Sequence, residues 1–382
     1  MKISDYVESQ IKGLWGTDFD ENGIPVIKTN NLTYEGHIDY SDICKRNITE
    51  EQAKEWYLRP GDLLIEKSGG TKTHSVGYVS YFEGEEDKYV CNNFILALRP
   101  KNSINSKFLF YQIQFKYESN QFSDCFNKTT GIQNLKVKDY LVKEIKIYTP
   151  EEQEKIVSEL DTVRSIINKN KQILEKYEIL IKSRFIEMFG DPVANSKGWN
   201  LQKLESLGKW ESGGTPSRKN ADYFKGNIPW YSAGELNTLY LEDSIEKITE
   251  EAIKESSAKL FKKGSLFVGM YDTAAFKMGI AKEDCSSNQA CANINPNSDT
   301  NVLWLYYELS EMKEFFLQNR RGVRQKNLNL GMIKGFEIPV PPLELQQQFA
   351  SFVQQIDKSK FEIWRYLKFC DIMKRIGFIL YD

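Results

Sequence analysis

Mainly apolar side chains recur at alternating steps of three and four positions along residues 151–189. This stretch contains neither proline nor glycine, Pro150 precedes it, and Gly190-Asp191-Pro192 follows it. Proline is favoured in the first turn of a helix and a glycine–proline pair ends one, so the pattern predicts one helix roughly 57 Å long at 1.5 Å per residue. The alternating spacing also predicts a coiled-coil seam, which requires a partner helix.

A second helix is predicted after Pro342, with apolar positions offset by 193 residues from those of the first. Lys360 and Lys374 are expected to weaken this second seam, and Asn170 either fixes the register of the pair or lies at the surface. Antiparallel packing of the two helices would relate the preceding domains by an approximate twofold axis. The predicted seam residues are Ile156, Leu160, Val163, Ile167, Asn170, Leu174, Tyr177 and Ile181, and Phe349, Val353, Ile356, Ile363 and Leu367.

The chain ahead of each predicted helix is one copy of a repeat. The two copies keep the same order of short motifs at offsets between 196 and 204 residues, which indicates duplication of a structural unit. The first copy contains Ile24-Pro25, Ile48-Thr49-Glu50-Glu51, Pro60-Gly61-Asp62, Gly77 and Asn92-Asn93. The second contains Ile228-Pro229, Ile248-Thr249-Glu250-Glu251, Lys263-Gly264-Ser265, Gly279 and Asn288-Gln289.

Within each copy, glycine, proline, asparagine and aspartate separate short runs rich in β-branched and aromatic residues. Residues 62–65 and 143–148 are two such runs and are predicted to be strands. The predicted fold is mixed α/β (α+β), with two repeated globular domains and two long antiparallel coiled-coil helices. The predicted boundaries are 1–149 for the first domain, 150–190 for the central helix, 191–341 for the second domain and 342–382 for the C-terminal helix.

Composition is that of an ordinary globular protein, with 41% hydrophobic and 27% charged residues. No segment approaches the roughly 20 uncharged apolar residues that cross a bilayer, and the first residues carry no secretory signal, so a cytoplasmic location is expected. Six cysteines without a CxxC pair are expected to be reduced structural thiols. A net charge of −2 does not suggest a protein that grips phosphates, so local charge has to decide this point.

Basic residues do cluster at equivalent places in the two copies. In the second copy the cluster lies in a stretch without acids between Asn319 and Lys334 and consists of Arg320, Arg321, Arg324 and Lys326. The corresponding part of the first copy holds Lys128, Lys136 and Lys138. Residues 67–72 and 213–219 form a second pair of loops, in which glycine, hydroxyl and basic residues could follow a phosphate backbone closely. Solvated turns would explain one such loop, but recurrence in both copies favours DNA contact.

Basic side chains at these places could bind phosphate or guanine, and Gln133, Asn134, Gln325 or Asn327 could bind adenine. The predicted DNA-binding residues are Lys67, Ser68, Gly70, Thr71, Lys72, Lys128, Thr130, Gln133, Lys136, Thr215, Ser217, Arg218, Lys219, Tyr231, Arg320, Arg321, Arg324, Gln325 and Lys326.

Enzymatic alternatives receive little support from the sequence. Asp62 with Glu86-Asp87-Lys88, or Glu144-Ile145-Lys146, loosely matches a Mg²⁺-dependent nuclease site, but neither triplet recurs in the second copy. His37 and His74 accompany no nucleophile motif and are expected at the surface or in turns. No catalytic or metal-binding residue is therefore predicted. A purely protein-binding scaffold remains open, because long helices with exposed seams also serve as scaffolds.

Three groups of residues resemble the specificity subunits of type I restriction-modification systems. They are Gly226-Asn227-Ile228-Pro229-Trp230 with Ser287-Asn288-Gln289-Ala290, Pro341-Pro342-Leu343-Glu344-Leu345-Gln346, and Tyr148-Thr149-Pro150-Glu151-Glu152-Gln153 with residues 184–192. The resemblance covers nearly the whole chain. The first copy departs from it with Asn92-Asn93, and Glu151 replaces the second proline-leucine element.

This resemblance implies two target recognition domains, each of which reads one half of a bipartite DNA target. It further implies that the helices dock methyltransferase (modification) subunits, two in number, and that restriction subunits can join the assembly. The chain itself would bind no cofactor, because S-adenosylmethionine, ATP and Mg²⁺ would be bound by the partner subunits.

Overall fold

A computed structural model describes residues 1–71, 74–128, 132–318 and 327–380. The chain forms two compact units. Unit 1 comprises residues 1–170 together with 365–382, and unit 2 comprises residues 171–364. Each unit contains both strands and helices, so the predicted mixed fold with two repeated domains is confirmed.

The described part of unit 1 ahead of its long helix contains ten strands and three shorter helices. The strands are β1 (Val7–Ile11), β2 (Phe19–Ile27), β3 (Cys44–Arg46), β4 (Leu63–Glu66), β5 (Ser68–Gly69), β6 (Val79–Tyr81), β7 (Val90–Cys91), β8 (Ile95–Pro100), β9 (Phe126–Lys128) and β10 (Gln133–Leu135). The helices are α1 (Glu50–Ala53), α2 (Ser106–Glu118) and α3 (Val137–Leu141), with 3-10 turns at Ile3–Tyr6 and Thr29–Asn31. The long helix α4 (Pro150–Phe189) follows and enters unit 2.

The strands of unit 1 make three sheets. The largest is antiparallel in the order β1-β8-β4-β6, and the others have the orders β3-β2-β7 and β5-β10-β9. Strand β4, one of the two interior strands of this sheet, is buried along its whole length, which fits its run of leucine and isoleucine. Phe108, Leu109 and Ile113 of α2 are buried in the core that covers this sheet, together with Ile156 and Leu160 of α4.

Among the residues of unit 2 that the structure describes, nine strands and four shorter helices precede the final long helix. The strands are β11 (Asn200–Lys203), β12 (Gly208–Ser212), β13 (Ile228–Tyr231), β14 (Glu246–Ile248), β15 (Leu266–Gly269), β16 (Met278–Ile280), β17 (Ser286–Ser287), β18 (Cys291–Pro296) and β19 (Glu337–Val340). The helices are α5 (Glu250–Glu255), α6 (Val302–Glu311), α7 (Lys313–Leu317), α8 (Leu330–Gly335) and α9 (Leu343–Leu380). Three-residue and four-residue 3-10 turns lie at Leu204–Leu207, Ala221–Phe224, Ala233–Glu235 and Asp272–Ala274.

The main sheet of unit 2 has the order β12-β18-β15-β16, strand for strand the same as that of unit 1. The smaller sheet β14-β13-β17 likewise corresponds to β3-β2-β7, with the same antiparallel and parallel pairs. The duplication predicted from the motif order is therefore a duplication of sheet topology.

Each long helix is fixed to the globular part before it by one glutamine. Gln153 Oε1 accepts the Asn105 N–H (2.9 Å), and Asn105 in turn caps α2 through its side chain. Gln346 Oε1 accepts the Asn301 N–H (2.8 Å) in the same way, and Asn301 caps α6. Because each glutamine also donates to a carbonyl just before its own helix, the start of the helix is held in a defined direction.

The predicted central helix is confirmed as one continuous element, and its seam faces the protein interior within each unit. In unit 2, Phe349 of α9 packs edge-on against Phe185 and Phe189 of α4, with ring centroids 5.5 Å apart in both pairs. Further along, Lys360 of α9 meets Glu178 of α4. Later residues of one helix thus contact earlier residues of the other, so the pair runs antiparallel in this unit.

Burial separates the seam residues into two groups. Those at the globular ends are buried: Ile156, Leu160, Ile181, Phe349, Val353 and Ile356. Those nearer the middle of the helices are only half-buried: Val163, Ile167, Asn170, Leu174, Tyr177, Ile363 and Leu367.

One expectation for these elements is wrong, and two polar residues of the seam have partners that the sequence did not reveal. Residues 143–148 do not form a strand, because Glu144 makes only an isolated bridge with Lys2, whereas the equivalent β19 pairs with four residues of β11. The ammonium of Lys360 lies 2.6 Å from Glu178 Oε1. For Lys374, the other lysine predicted to weaken the seam, the side chain lies outside the described part of the structure. The Asn170 amide donates to the Ile166 carbonyl of its own helix (3.0 Å), which is a local bond rather than an interhelical one.

No helix in the described part of the chain is long and apolar enough to cross a membrane. All six cysteines are free thiols, as expected, and five of them are buried.

Candidate nucleic-acid interface

In unit 1 the structure brings the two predicted DNA-binding segments together in one small sheet. Ser68 and Gly69 of β5 pair with Asn134 and Gln133 of β10, and β10 pairs with β9 on its other side. The Ser68 hydroxyl donates to Asn134 Oδ1 (2.7 Å), and the Leu135 N–H donates to the Lys67 carbonyl (2.8 Å). Two loops that are distant in sequence therefore form a continuous surface.

Glycine is required where the chain leaves β4 for this sheet. Gly69 has φ +135°, and a Cβ atom there would lie 2.4 Å from Glu66 Oε1. The same Glu66 oxygen accepts a hydrogen bond from the Gly70 N–H (3.1 Å), so the carboxylate holds this turn in place. Burial raises the pKa of Glu66, because the carboxylate is largely withdrawn from water.

The predicted contact residues of unit 1 differ in how accessible they are. Thr71 and Lys136 are exposed, whereas Lys67, Ser68 and Gly70 are half-buried. Gln133 is also half-buried, and its side-chain oxygen accepts the Val76 N–H (3.2 Å), so this oxygen already serves the fold. For Lys128 only the backbone is described, and Lys72 and Thr130 lie outside the described residues.

The apolar and aromatic members of this surface were not among the predicted contact residues. Phe94 is 53% exposed, and its carbonyl accepts the N–H groups of Lys67 (2.7 Å) and Ser68 (3.2 Å). Ile132, next to Gln133, is 57% exposed. Tyr34 stacks on His74 with ring centroids 3.7 Å apart, beside the 67–71 loop. A periodicity argument assigns such residues to a core, so only the structure reveals them at the surface.

In unit 2 the 213–219 loop follows β12, so its structural equivalent in unit 1 is the loop after β1, not residues 67–72. The equivalent of residues 67–72 is the segment that follows β15. In unit 2 the 213–219 loop and the segment after β15 nevertheless both border the turn at residues 288–290. Thr215 Oγ1 donates to Gln289 Oε1 (2.5 Å), and the Met270 N–H donates to the Ala290 carbonyl (2.9 Å). The turn at residues 92–94 is bordered in the same way in unit 1, by Gly13 and Lys67.

Two predicted contact residues of unit 2 have other roles in the fold. Tyr231 is buried beside Phe267, and its hydroxyl donates to the Glu242 carbonyl (2.7 Å), so its ring cannot touch a ligand as it lies. Arg218 forms a bidentate ion pair with Glu246, with distances of 2.5 and 2.7 Å, and its guanidinium lies 4.2 Å from the Phe224 ring centroid. The exposed Ser217 and Lys219 and the half-buried Thr215 remain candidates in this loop.

The most basic predicted loop lies outside the described residues. It contains Arg320, Arg321, Arg324, Gln325 and Lys326. Its C-terminal flank is described: the Leu328 N–H donates to the Met270 carbonyl (2.8 Å), as the Leu135 N–H does to the Lys67 carbonyl in unit 1. Leu328 and its counterpart Leu135 thus bind the segments that follow β15 and β4, respectively.

Two acids of the first alternative nuclease site are paired with arginines. Asp62 is bound on both oxygens by Arg99, and Glu86 lies 3.3 Å from Arg59. No group of three or more histidine, cysteine, aspartate or glutamate side chains in the described ranges could hold a metal ion. His37 and His74 are both exposed, as expected for turn residues.

The chain contains two similar α+β domains, each followed by a long helix. This fold matches the crystal structure of the type I restriction-modification system S subunit from M. genitalium with a TM-score of 0.61 and 15% identity, covering 99% of this chain and 94% of that one. A second structure, described as the basis of complex assembly and conformational transition of a type I R-M system, matches with a TM-score of 0.58 and 17% identity, covering 99% and 95%.

The chain belongs to the family described as type I restriction modification DNA specificity domain, which matches residues 3–178 and 196–368. The MjaIX specificity subunit of Methanocaldococcus jannaschii is 31% identical over 166 residues, 42% of this chain and 38% of that protein. The EcoR124I/EcoR124II specificity subunit of Escherichia coli is 24% identical over 247 residues, 62% of this chain and 60% of that protein. The matches to these relatives therefore span less than two thirds of their length.

Proposed function

We propose that this chain is the non-catalytic, DNA-reading specificity subunit of a type I restriction-modification enzyme. Each unit reads one half of a bipartite target. The long helices set the gap between the half-sites and bind two modification subunits, and restriction subunits can join. S-adenosylmethionine, ATP and Mg²⁺ are bound by these partners and not by this chain.

The observation that carries the proposal is the recurrence of one arrangement of loops in both units. In unit 1 the loops after β1 and β4 border one asparagine-containing turn. In unit 2 the loops after the equivalent strands β12 and β15 border the equivalent turn. In each unit a leucine within or just after the predicted basic loop, Leu135 or Leu328, donates its N–H to the carbonyl of the residue that follows β4 or β15. Equivalent scaffolds that carry different side chains suit the reading of two different short DNA sequences.

Apolar side chains on the helices support the docking of other subunits. In unit 2, Ile179 (67% exposed) and Leu180 (46%) of α4, and Phe361 (64%) and Trp364 (61%) of α9, point away from the seam into solvent. Exposed aromatic and large apolar side chains are typical components of protein interaction surfaces.

Charge reversal should impair only the half-site read by the altered unit. Lys67→Glu with Lys136→Glu is expected to weaken DNA binding of the assembled enzyme and to lower the slope of log affinity against log salt by about 2, since about one unit is lost per phosphate contact. Arg321→Glu with Arg324→Glu should do the same for the other half-site. Filter binding to DNA with either half-site scrambled measures both effects.

The matched control for unit 1 is Lys88→Glu with Lys155→Glu, which makes the same charge change at exposed lysines outside the loops. Equal loss of affinity in the control pair, or unchanged affinity in both loop pairs at low and moderate salt, would contradict the assignment. Methylome sequencing of cells with and without the chain identifies the target itself.

The proposed spacer role predicts the effect of lengthening α4. Insertion of one heptad near Asn170 extends the helix by roughly 10 Å at 1.5 Å per residue, so the unread gap should lengthen while both half-sites keep their sequences. Methylation sites mapped before and after the insertion measure gap and half-sites separately. A changed half-site sequence would show that the helix does more than set distance.

A further inference from the structure

A cavity of about 570 Å³ opens on unit 2 where α4, α6 and α9 meet. Its volume lies within the range of ligand pockets in proteins. Its walls combine aromatic and charged side chains, chiefly Glu178, Lys182, Tyr306, Tyr307, Asp357 and Lys360. None of these residues belongs to the loops proposed to read DNA.

The charges in this cavity leave one carboxylate without its own cation. Its three lysines are each within ion-pair distance of a different acid: Lys360 with Glu178 (2.6 Å), Lys182 with Glu311 (3.2 Å) and Lys282 with Glu242 (2.8 Å). Asp357 is the fourth acid, and its Oδ1 lies 3.9 Å from the ammonium of Lys360 that Glu178 already holds. Asp357 Oδ2 is buried and has no hydrogen-bond partner among the described residues.

The equivalent place in unit 1 shows what such a position accepts. At the offset of 193 residues, Arg164 of α4 corresponds to Asp357 of α9. The Arg164 guanidinium lies 5.2 Å from the ring centroid of Phe110, whose counterpart is Tyr306. Asp161, which accepts a hydrogen bond from the Tyr111 hydroxyl (2.5 Å), has the neutral Gln354 as its counterpart. Unit 1 thus places its own guanidinium against an aromatic ring, whereas unit 2 has a carboxylate and an open cavity.

We propose that this cavity binds an arginine side chain of a partner protein, with the guanidinium against Tyr306 and Tyr307 and its charge opposite Asp357. Arginine suits the site better than lysine, because its planar and weakly hydrated head stacks on aromatic rings and binds carboxylates with two donors. The partner is a modification subunit, a choice that rests on the proposed function. The presence of a guanidinium site does not depend on it.

The first test uses the full chain and two small probes, N-acetyl-argininamide and N-acetyl-lysinamide. Each is titrated while the resonances of isotope-labelled tyrosine rings are followed by NMR. The arginine probe should bind more tightly than the lysine probe, and Asp357→Asn should weaken its binding about tenfold, as loss of a charge-assisted hydrogen bond does. Asp357→Arg, which installs the residue of unit 1, should abolish binding in a folded protein.

Glu362→Arg is the matched control, because Glu362 is an exposed acid on the same helix outside the cavity. It should leave probe binding unchanged. Equal binding of both probes, or arginine binding that survives Asp357→Asn, would overturn the guanidinium site.

The second test measures the affinity of the modification subunit for the native chain and for the same variants. Asp357→Arg should weaken assembly at least tenfold and Glu362→Arg should not, with DNA binding by the assembled enzyme as a separate measurement. Unchanged assembly of Asp357→Arg would overturn this choice of partner. A native chain that bound the arginine probe but no modification subunit would overturn the choice of partner and the proposed function, and would leave the guanidinium site standing.

Discussion

Replacement of Asp62 by alanine is expected to destabilise unit 1 by about 3–5 kcal/mol, the cost of removing one partner of a buried ion pair. Asp62 is 1% exposed, and its two oxygens lie 3.0 and 2.8 Å from the guanidinium of Arg99. The same carboxylate accepts the Arg59 N–H (2.8 Å). Alanine would leave the half-buried guanidinium of Arg99 without its counter-charge. Chemical denaturation followed by tryptophan fluorescence measures the loss of stability.

Unit 2 provides the control for this prediction, because it has Ser265 and Asn295 at the positions of Asp62 and Arg99. The double variant Asp62→Ser with Arg99→Asn removes both charges and copies that neutral pair. It should therefore be more stable than Asp62→Ala, although both lack the ion pair. A double variant as unstable as the single one would show that the two side chains are not coupled.

Replacement of Glu308 by glutamine is expected to stabilise unit 2 by about 3 kcal/mol at pH 7. Glu308 is 1% exposed, its Oε1 has no hydrogen-bond partner among the described residues, and burial raises the pKa of its carboxyl to about 8. The folded state therefore keeps a proton that the unfolded chain releases above pH 4.5. Stability falls as the pH rises from about 4.5 to about 8, and glutamine removes this loss.

The gain in stability from Glu308→Gln should grow as the pH rises. It should be small below pH 4.5, where the unfolded chain regains the proton that the folded state keeps, and largest above pH 8. Gln112 occupies the equivalent position in unit 1, so Gln112→Glu is the reciprocal variant and should lower the stability of that unit with rising pH. Denaturation at several pH values measures both, and a gain for Glu308→Gln that is equal at pH 5 and pH 8 would contradict the explanation.

The sequence was sufficient to predict the architecture because strong periodic signals determine it. Residues 62–65 were predicted as a strand, and β4 is found at Leu63–Glu66 in the middle of the main sheet. The proline and glycine that flank α4 placed its ends correctly. Residues 143–148 have an equally strong strand pattern, yet only Lys2 lies opposite them, and a strand requires a partner that the pattern does not reveal.

The candidate interface was less predictable, because similar composition does not imply equivalent position. Residues 67–72 and 213–219 have the same chemistry but follow different strands of the repeated sheet. Arg218 was predicted to contact DNA, and the structure adds a bidentate ion pair with Glu246 that the sequence did not reveal. Phe94 was overlooked because an apolar residue is expected in the core, whereas a turn holds it at the surface.

The turn between the loops has a further consequence, because it differs between the copies: Asn92-Asn93 in one and Asn288-Gln289 in the other. Proteins that pair two identical readers by symmetry recognise palindromes, whose two strands are interchangeable. Two unlike readers joined in one polypeptide impose no such restriction. The proposed target would then have a polarity, so that an enzyme bound to it could distinguish upstream from downstream along the duplex.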